Sequence, residues 1–156
     1  MVYLEKPWLK NYPQEIPASL EYPELVVPDM LSQAYEKHRD RVAIHFMGKE
    51  LTYGQLYHAA LACARALVNM GIKPGDRVSV MLPNCPQYVI AYYGILMAGA
   101  IVVQTNPLYV ERELIYQLND AGAKAIIAID LVYPRLAKVM DQTPLQQVII
   151  TSVKDY

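Results

Sequence analysis

From residue 77 onward the chain alternates short apolar runs with longer mixed stretches. The runs RVSVML, AIVVQT, KAIIAI and QQVIIT begin at Arg77, Ala100, Lys124 and Gln146, so they recur at spacings of 23, 24 and 22 residues. Each is β-branched and almost uniformly apolar, the pattern of a strand buried on both faces, and each interval holds one helix's length. The punctuation agrees. Pro86 suits the first turn of one helix and Gly99 its stop, Gly122 stops the next, and Asp130 can cap the last. Strands separated by single helices predict right-handed βαβ crossovers. The fold class is therefore α/β, a parallel sheet with helices on both faces built from βα repeats of about 23 residues.

Ahead of the repeats the pattern changes. Residues 1–28 carry prolines at positions 7, 13, 17, 23 and 28 among tyrosines and Trp8, which predicts an extended leader packed on the domain by its aromatic residues. Residues 29–156 form the α/β body. Leu31, Ala34, Tyr35 and His38 stand at i, i+3, i+4 and i+7, which predicts a helix from Pro28 that ends before Arg41. The stretch RVAIHFMGKELTYGQL predicts a β-hairpin turning at Gly48-Lys49. Thr52 and Gln55 have capping-box spacing, so a second helix starts there, with Leu56, Ala59, Ala60, Cys63, Leu67 and Met70 on its apolar face and Gly71 ending it.

The most apolar stretch, YVIAYYGILMAGAIVV from Tyr88 to Val103, runs sixteen residues without a charged or amide side chain. A membrane-spanning helix needs roughly 20. With Gly99 inside it, the stretch reads as a buried helix, a tight Gly99-Ala100 corner and a central strand.

Composition narrows the function classes. A chain of 156 residues is long enough for one domain that buries roughly 70% of its unfolded surface. Its apolar share of 54% against 19% charged points to a heavily buried sheet, or to a piece that lacks the rest of its core. A net charge of −1 with scattered basic residues leaves no footprint for nucleic acid. Cys63 and Cys85 lie in apolar surroundings and read as small buried thiols. The amino terminus has no basic region followed by an apolar one, so no secretory signal is read and the expected location is the cytoplasm.

Open parallel sheets bind ligands beyond the carboxyl ends of their strands. Those ends are Pro83-Asn84-Cys85, Thr105-Asn106-Pro107, Asp130 and Thr151-Ser152. Asn84, Thr105 and Asn106 are the candidate ligand-facing residues, although caps and turns call for the same side chains. Gly94 and Gly99 have the separation of a phosphate loop, but Ala100-Ile101 stand where lysine and a hydroxyl residue are required, and the glycines lie within and after a helix. The sequence has no G-x-G-x-x-G, C-x-x-C, H-E-x-x-H or G-x-S-x-G. His38, His45 and His58 fall on two helices and a strand without metal-ligand spacing, and Glu111 and Glu113 suit the first turn of a helix. No catalytic and no metal-binding residue is assigned.

The motifs LTYGQL (51–56), GIKPGDRVSVMLPNCPQYVIAYYGILMAGAIVVQTNPLYVERELIYQLNDAGAKAII (71–127) and KPWLKNYPQEIP in the leader resemble the amino-terminal part of bacterial long-chain fatty-acid–CoA ligases. These belong to the adenylate-forming superfamily, with coumarate–CoA ligases, luciferases and peptide-synthetase adenylation domains. T-Y-x-x-L, G-D-R-V and G-A…N-P are widespread in it. The combination of PN-x-x-QY, GIL-x-AG-x-IVV, NPLY-x-x-REL and QLND-x-GA resembles the fatty-acyl branch.

The resemblance implies an enzyme that uses ATP, Mg²⁺ and CoA: a fatty carboxylate displaces pyrophosphate from ATP to give an acyl-adenylate, and the CoA thiol then displaces AMP. It also implies a Ser/Thr/Gly-rich loop ending in lysine, an aromatic-acidic adenine loop, a hinge aspartate and a catalytic lysine. None of these motifs occurs in the 156 residues. The chain is therefore expected to be an inactive amino-terminal scaffold fragment holding no cofactor of its own. Its implied partners are fatty acid, ATP and CoA for the full-length enzyme, and the remainder of its own chain. It is expected to self-associate, and neither nucleic acid nor a transmembrane segment is implied, with peripheral membrane contact left open to the full-length enzyme. The alternatives are a fragment of an aryl- or coumarate-type CoA ligase, or a complete small flavodoxin-like binding module.

Overall fold

Local chemistry sets the element boundaries in this computed structural model, which describes residues 6–156. Helix α1 (Val27–His38) has Pro28 in its first turn, and the Asp29 carboxylate accepts from the Val26 amide at 3.1 Å. Leu31 of its stripe is buried, while His38 is exposed. Strands β1 (Val42–Phe46) and β2 (Lys49–Thr52) pair antiparallel. Their turn is Met47-Gly48, one residue earlier than expected. Both residues have positive φ, 48° and 84°, the mirror-image turn that matches the strand twist, and Lys49 already pairs with Phe46.

Helix α2 (Tyr53–Asn69) starts on the expected capping box: Thr52 Oγ1 accepts from the Gln55 amide at 3.2 Å, and Gln55 Oε1 accepts from the Thr52 amide at 2.8 Å. It stops at Gly71, whose φ of 89° lets the Ile72 amide reach back to the Leu67 carbonyl at 3.0 Å.

The repeats then follow as β3 (Arg77–Met81), α3 (Pro86–Met97), β4 (Ile101–Gln104), α4 (Glu111–Ala121), β5 (Ala123–Ile129), α5 (Tyr133–Ala137) and β6 (Gln147–Thr151). The four strands are parallel in the order β4-β3-β5-β6. The step from β3 to β4 runs one way and the later steps the other, so right-handed crossovers put α3 and α4 on opposite faces. Helices α1 and α2 pack with α3, and α4 packs on β5 and α5. Leu67, Ile95, Leu114, Leu118, Ile126 and Leu136 are almost wholly buried in these layers. Each such side chain contributes roughly 1.5–3 kcal/mol relative to exposure.

Three expectations change. The strand Ile101–Gln104 is not central: it is an edge, and Ile101 is 50% exposed. Burial on both faces holds for β3 and β5, because the chain crosses back over β3 after β4 and builds outward from the other side. Asp130 caps no helix: it is the first residue of a 3₁₀ turn, Asp130–Val132, its carboxylate accepting from the neighbouring Leu131 amide at 2.8 Å, and the short α5 follows. The leader does not pack as expected: between residues 6 and 27 every side chain is exposed except half-buried Leu9. Its prolines withhold backbone donors, and turns such as Leu9 N–H to the Lys6 carbonyl at 3.0 Å hold it locally. Residues 1–5 of that leader lie outside the described residues.

Candidate functional site

The carboxyl ends of β3 and β4 enclose a cleft of about 340 Å³ that brings together all three candidates, Asn84, Thr105 and Asn106, with Tyr88 and Tyr109 on its walls. One wall is the loop leaving β3, beside the point where the strand order reverses, the place where open α/β sheets gather ligands. The other wall is the 105–110 loop after β4. Thr105 extends the ladder, its amide donating to the Val80 carbonyl at 3.0 Å.

The three residues have different roles. The Thr105 hydroxyl lies 2.7 Å from the Ser79 hydroxyl; the residues are 3% and 0% exposed, so each satisfies the other inside the sheet. Asn106 is exposed, and its Oδ1 accepts from the Leu108 amide at 3.0 Å, closing an Asx turn. Asn84 is exposed, and its side-chain amide makes no hydrogen bond among the described residues. Its whole side-chain amide is left for a ligand, as is the NH2 of Asn106, whose Oδ1 alone is engaged. Tyr88, from the first turn of α3, is half-buried and stacks on Tyr92 with ring centroids 6.4 Å apart.

Sequence reasoning missed the residue that holds the second wall. Arg135 of α5 donates to the Pro107 carbonyl at 3.0 Å and to the Tyr109 carbonyl at 2.6 Å. Lys138 of the following turn meets Glu111 at 3.2 Å and ties the same region to α4. The Glu111 carboxyl is held below the usual range by its helix-start amide and by Lys138. A lone arginine 26 residues from its acceptor follows no spacing rule, so the sequence offered no signal for it.

No charged side chain lines the cleft. Its amides and phenols can orient a ligand by hydrogen bonds, and they supply no nucleophile, general base or phosphate-neutralising cation. Among the described residues no three His, Cys, Asp or Glu side chains gather as a metal site. His45 pairs with Glu50 across the hairpin at 3.1 Å, and His58 lies edge-on to Tyr35 and Tyr57. Burial pushes the Cys63 thiol up to about 11. Glu113 is committed to the Val110 amide at 2.9 Å, in a depression of about 680 Å³ on the outer side of α4.

Comparison with known proteins matches residues 31–155 to the family described as AMP-binding enzyme. The long-chain-fatty-acid–CoA ligase of Bacillus subtilis is 49% identical over 152 residues, covering 97% of this chain and 27% of that protein. The ligase of the same name from Escherichia coli O157:H7 is 42% identical, with 97% of this chain and 28% of that protein covered. The chain thus spans little more than a quarter of the length of these relatives. Among solved structures, a long-chain-fatty-acid–CoA ligase from Archaeoglobus fulgidus superposes with a TM-score of 0.80 at 25% identity, over 88% of this chain and 30% of that one.

Proposed function

The chain belongs to the AMP-binding enzyme family, and from that premise we propose that it is the amino-terminal α/β scaffold of an ATP-dependent long-chain fatty-acid–CoA ligase. The reaction of the whole enzyme joins a fatty carboxylate to CoA while ATP is cleaved to AMP and pyrophosphate. The observation that carries this reading is the 49% identity to a long-chain-fatty-acid–CoA ligase along 97% of the chain.

The described residues do not fit a Mg²⁺–ATP or CoA site. No carboxylate cluster is present among them to hold the metal, and the cleft has no cation to face a polyphosphate. On this reading no activity is assigned to the 156 residues by themselves, and Asn84 stands on the rim of the ligand cleft with Thr105 and Asn106 shaping the wall. Among the described residues no helix is long and apolar enough to cross a membrane. We place its action in the cytoplasm, a reducing compartment that suits the free thiols of half-buried Cys63 and buried Cys85. The chain self-associates through an uncovered sheet edge.

The test is acyl-CoA synthesis by a protein encoded by the whole reading frame, assayed with palmitate and with benzoate alongside the isolated 156 residues. Palmitoyl-CoA from the whole protein alone is expected. A preference for benzoate moves the assignment to an aryl-CoA ligase, and acyl-adenylate formation by the isolated chain overturns its inactivity.

A further inference from the structure

Arg135 holds the second wall of the cleft without lining the cleft itself. One guanidinium nitrogen, Nη1, donates to both the Pro107 carbonyl at 3.0 Å and the Tyr109 carbonyl at 2.6 Å, from a half-buried side chain. Hydrogen bonds from a cation are roughly twice as strong as those between neutral groups. The base of the side chain is firm, because α5 presents it between Val132 and Leu136, which are both buried in the core. Arg135 therefore acts on the loop and not on a ligand.

The other bonds of the loop show why this contact sets the wall's position. Its ends are pinned, the Thr105 amide donating to the Val80 carbonyl at 3.0 Å and the Val110 amide to the Glu113 carboxylate at 2.9 Å. Between them the bonds are internal: Asn106 Oδ1 accepts from the Leu108 amide and the Asn106 carbonyl from the Tyr109 amide, both at 3.0 Å. These give the turn its shape but not its place against the sheet. Among the described residues, the hydrogen bonds that reach 106–109 from another element are the two from Arg135. The Tyr109 ring rests on the core, so packing and this one cation place the wall together. The Lys138–Glu111 pair spans the same elements, but with side chains 69% and 45% exposed it adds little.

We propose that Arg135 is a positioning residue for the ligase reaction: through the Pro107 and Tyr109 carbonyls it holds the 106–109 wall at the separation from Asn84 and Tyr88 at which the cleft binds one substrate. The inference deepens the proposed function and rests on it. Because no charged side chain lines the cleft, its hold on a ligand comes from hydrogen bonds and fit. Both fall steeply with distance, so a wall displaced by about 1 Å takes Asn106 and Tyr109 out of reach of a group held by Asn84 opposite. The loss falls on binding of that substrate and spares the chemical step, since the cleft supplies no nucleophile, base or cation.

Both bonds leave from one nitrogen, which makes a conservative replacement informative. A lysine ammonium carries three donors and can serve two carbonyls, although its stem is shorter. Methionine keeps an apolar stem and offers no donor.

The experiment uses the protein encoded by the whole reading frame as wild type, Arg135→Met and Arg135→Lys, with KM and kcat measured in turn for ATP, CoA and the preferred acid. Arg135→Met should raise KM for one of the three about tenfold and leave the other two, and kcat, within about twofold. Arg135→Lys should fall between it and the wild type. Hydrogen exchange gives a second readout that needs no activity: the Leu108 and Tyr109 amides of Arg135→Met should exchange about tenfold faster, while the amides of β3 and β5 keep their wild-type rates. Loop amides that exchange at the wild-type rate overturn the tie whatever the kinetics show. With an active wild type, three unmoved KM values overturn the inference alone. A fall in kcat with KM unmoved shows a merely structural loss and overturns it too. A wild type that makes no acyl-CoA from palmitate or benzoate overturns the ligase reading itself, and the inference with it.

Discussion

Replacing Thr105 by valine keeps the shape of the side chain and removes its hydroxyl. Ser79 Oγ, 2.7 Å from Thr105 Oγ1 in a residue with no exposed surface, is then left in the sheet without its partner. The cost combines a lost net hydrogen bond with the desolvation of a stranded hydroxyl, about 1–3 kcal/mol. Near 2 kcal/mol this is roughly a thirtyfold fall in the folding constant. For a domain of this size it lowers the urea midpoint by about 1 M, since urea slopes lie at about 1–3 kcal/mol per M. Ser79→Ala strands Thr105 in the same way and carries a similar cost. The double variant removes both hydroxyls, leaves no orphan, and should cost clearly less than the two singles together. The measurement is urea unfolding of the wild type, both singles and the double at neutral pH, read as a double-mutant cycle. A coupling of about 1 kcal/mol or more is expected. Additive singles, or a Thr105→Val chain as stable as wild type, would refute the buried pair and return Thr105 to the list of residues free to meet a ligand.

Further substitutions test the scaffold. A Cβ added at Gly94 would stand 2.8 Å from both Cβ and Sγ of Cys63 and 3.0 Å from the Ala60 carbonyl, so Gly94→Ala should push α2 and α3 apart at a cost of about 1–3 kcal/mol. Cys63→Ala should restore only part of this in thermal melts, because its Cβ and the Ala60 carbonyl remain. Thr52→Ala deletes the α2 cap and should cost about 1 kcal/mol in urea unfolding, with Thr52→Ser near wild type. Asp76 is held below its ordinary 3.8 by the Lys124 ammonium at 2.8 Å and by the Lys73 amide. Its folded carboxyl titrates lower than its unfolded one, so its contribution is present above the unfolded value and fades as pH falls through the folded one. Asp76→Asn should flatten the acid limb of a stability-versus-pH curve and leave the alkaline limb alone. An unchanged acid limb refutes the assignment.

The βα repeat was legible because strand cores and helix stops are local chemistry. Pro86, Gly99 and Gly122 mark boundaries whatever the tertiary context, and the Thr52–Gln55 box is complete within four residues. The leader misled because aromatic residues between prolines look alike whether or not a surface exists to receive them. At the site, the sequence brought Asn84, Thr105 and Asn106 to one end of the sheet but could not separate their roles. Thr105 is committed through Ser79, 26 residues away, and the loop is held by Arg135 from a helix with no motif of its own. Such partners follow from strand order, and strand order is what periodicity omits. IVVQ and RVSVM carry three apolar residues each, yet the first is an edge with Ile101 half exposed and the second is buried from Val78 onward. The difference lies in the return crossover from β4 to β5, which sets β5 against the free side of β3 and leaves β4 with one neighbour. That crossover also joins the loops after β3 and β4 into one cleft. The feature least visible in the sequence is therefore the one that assembles the candidate site.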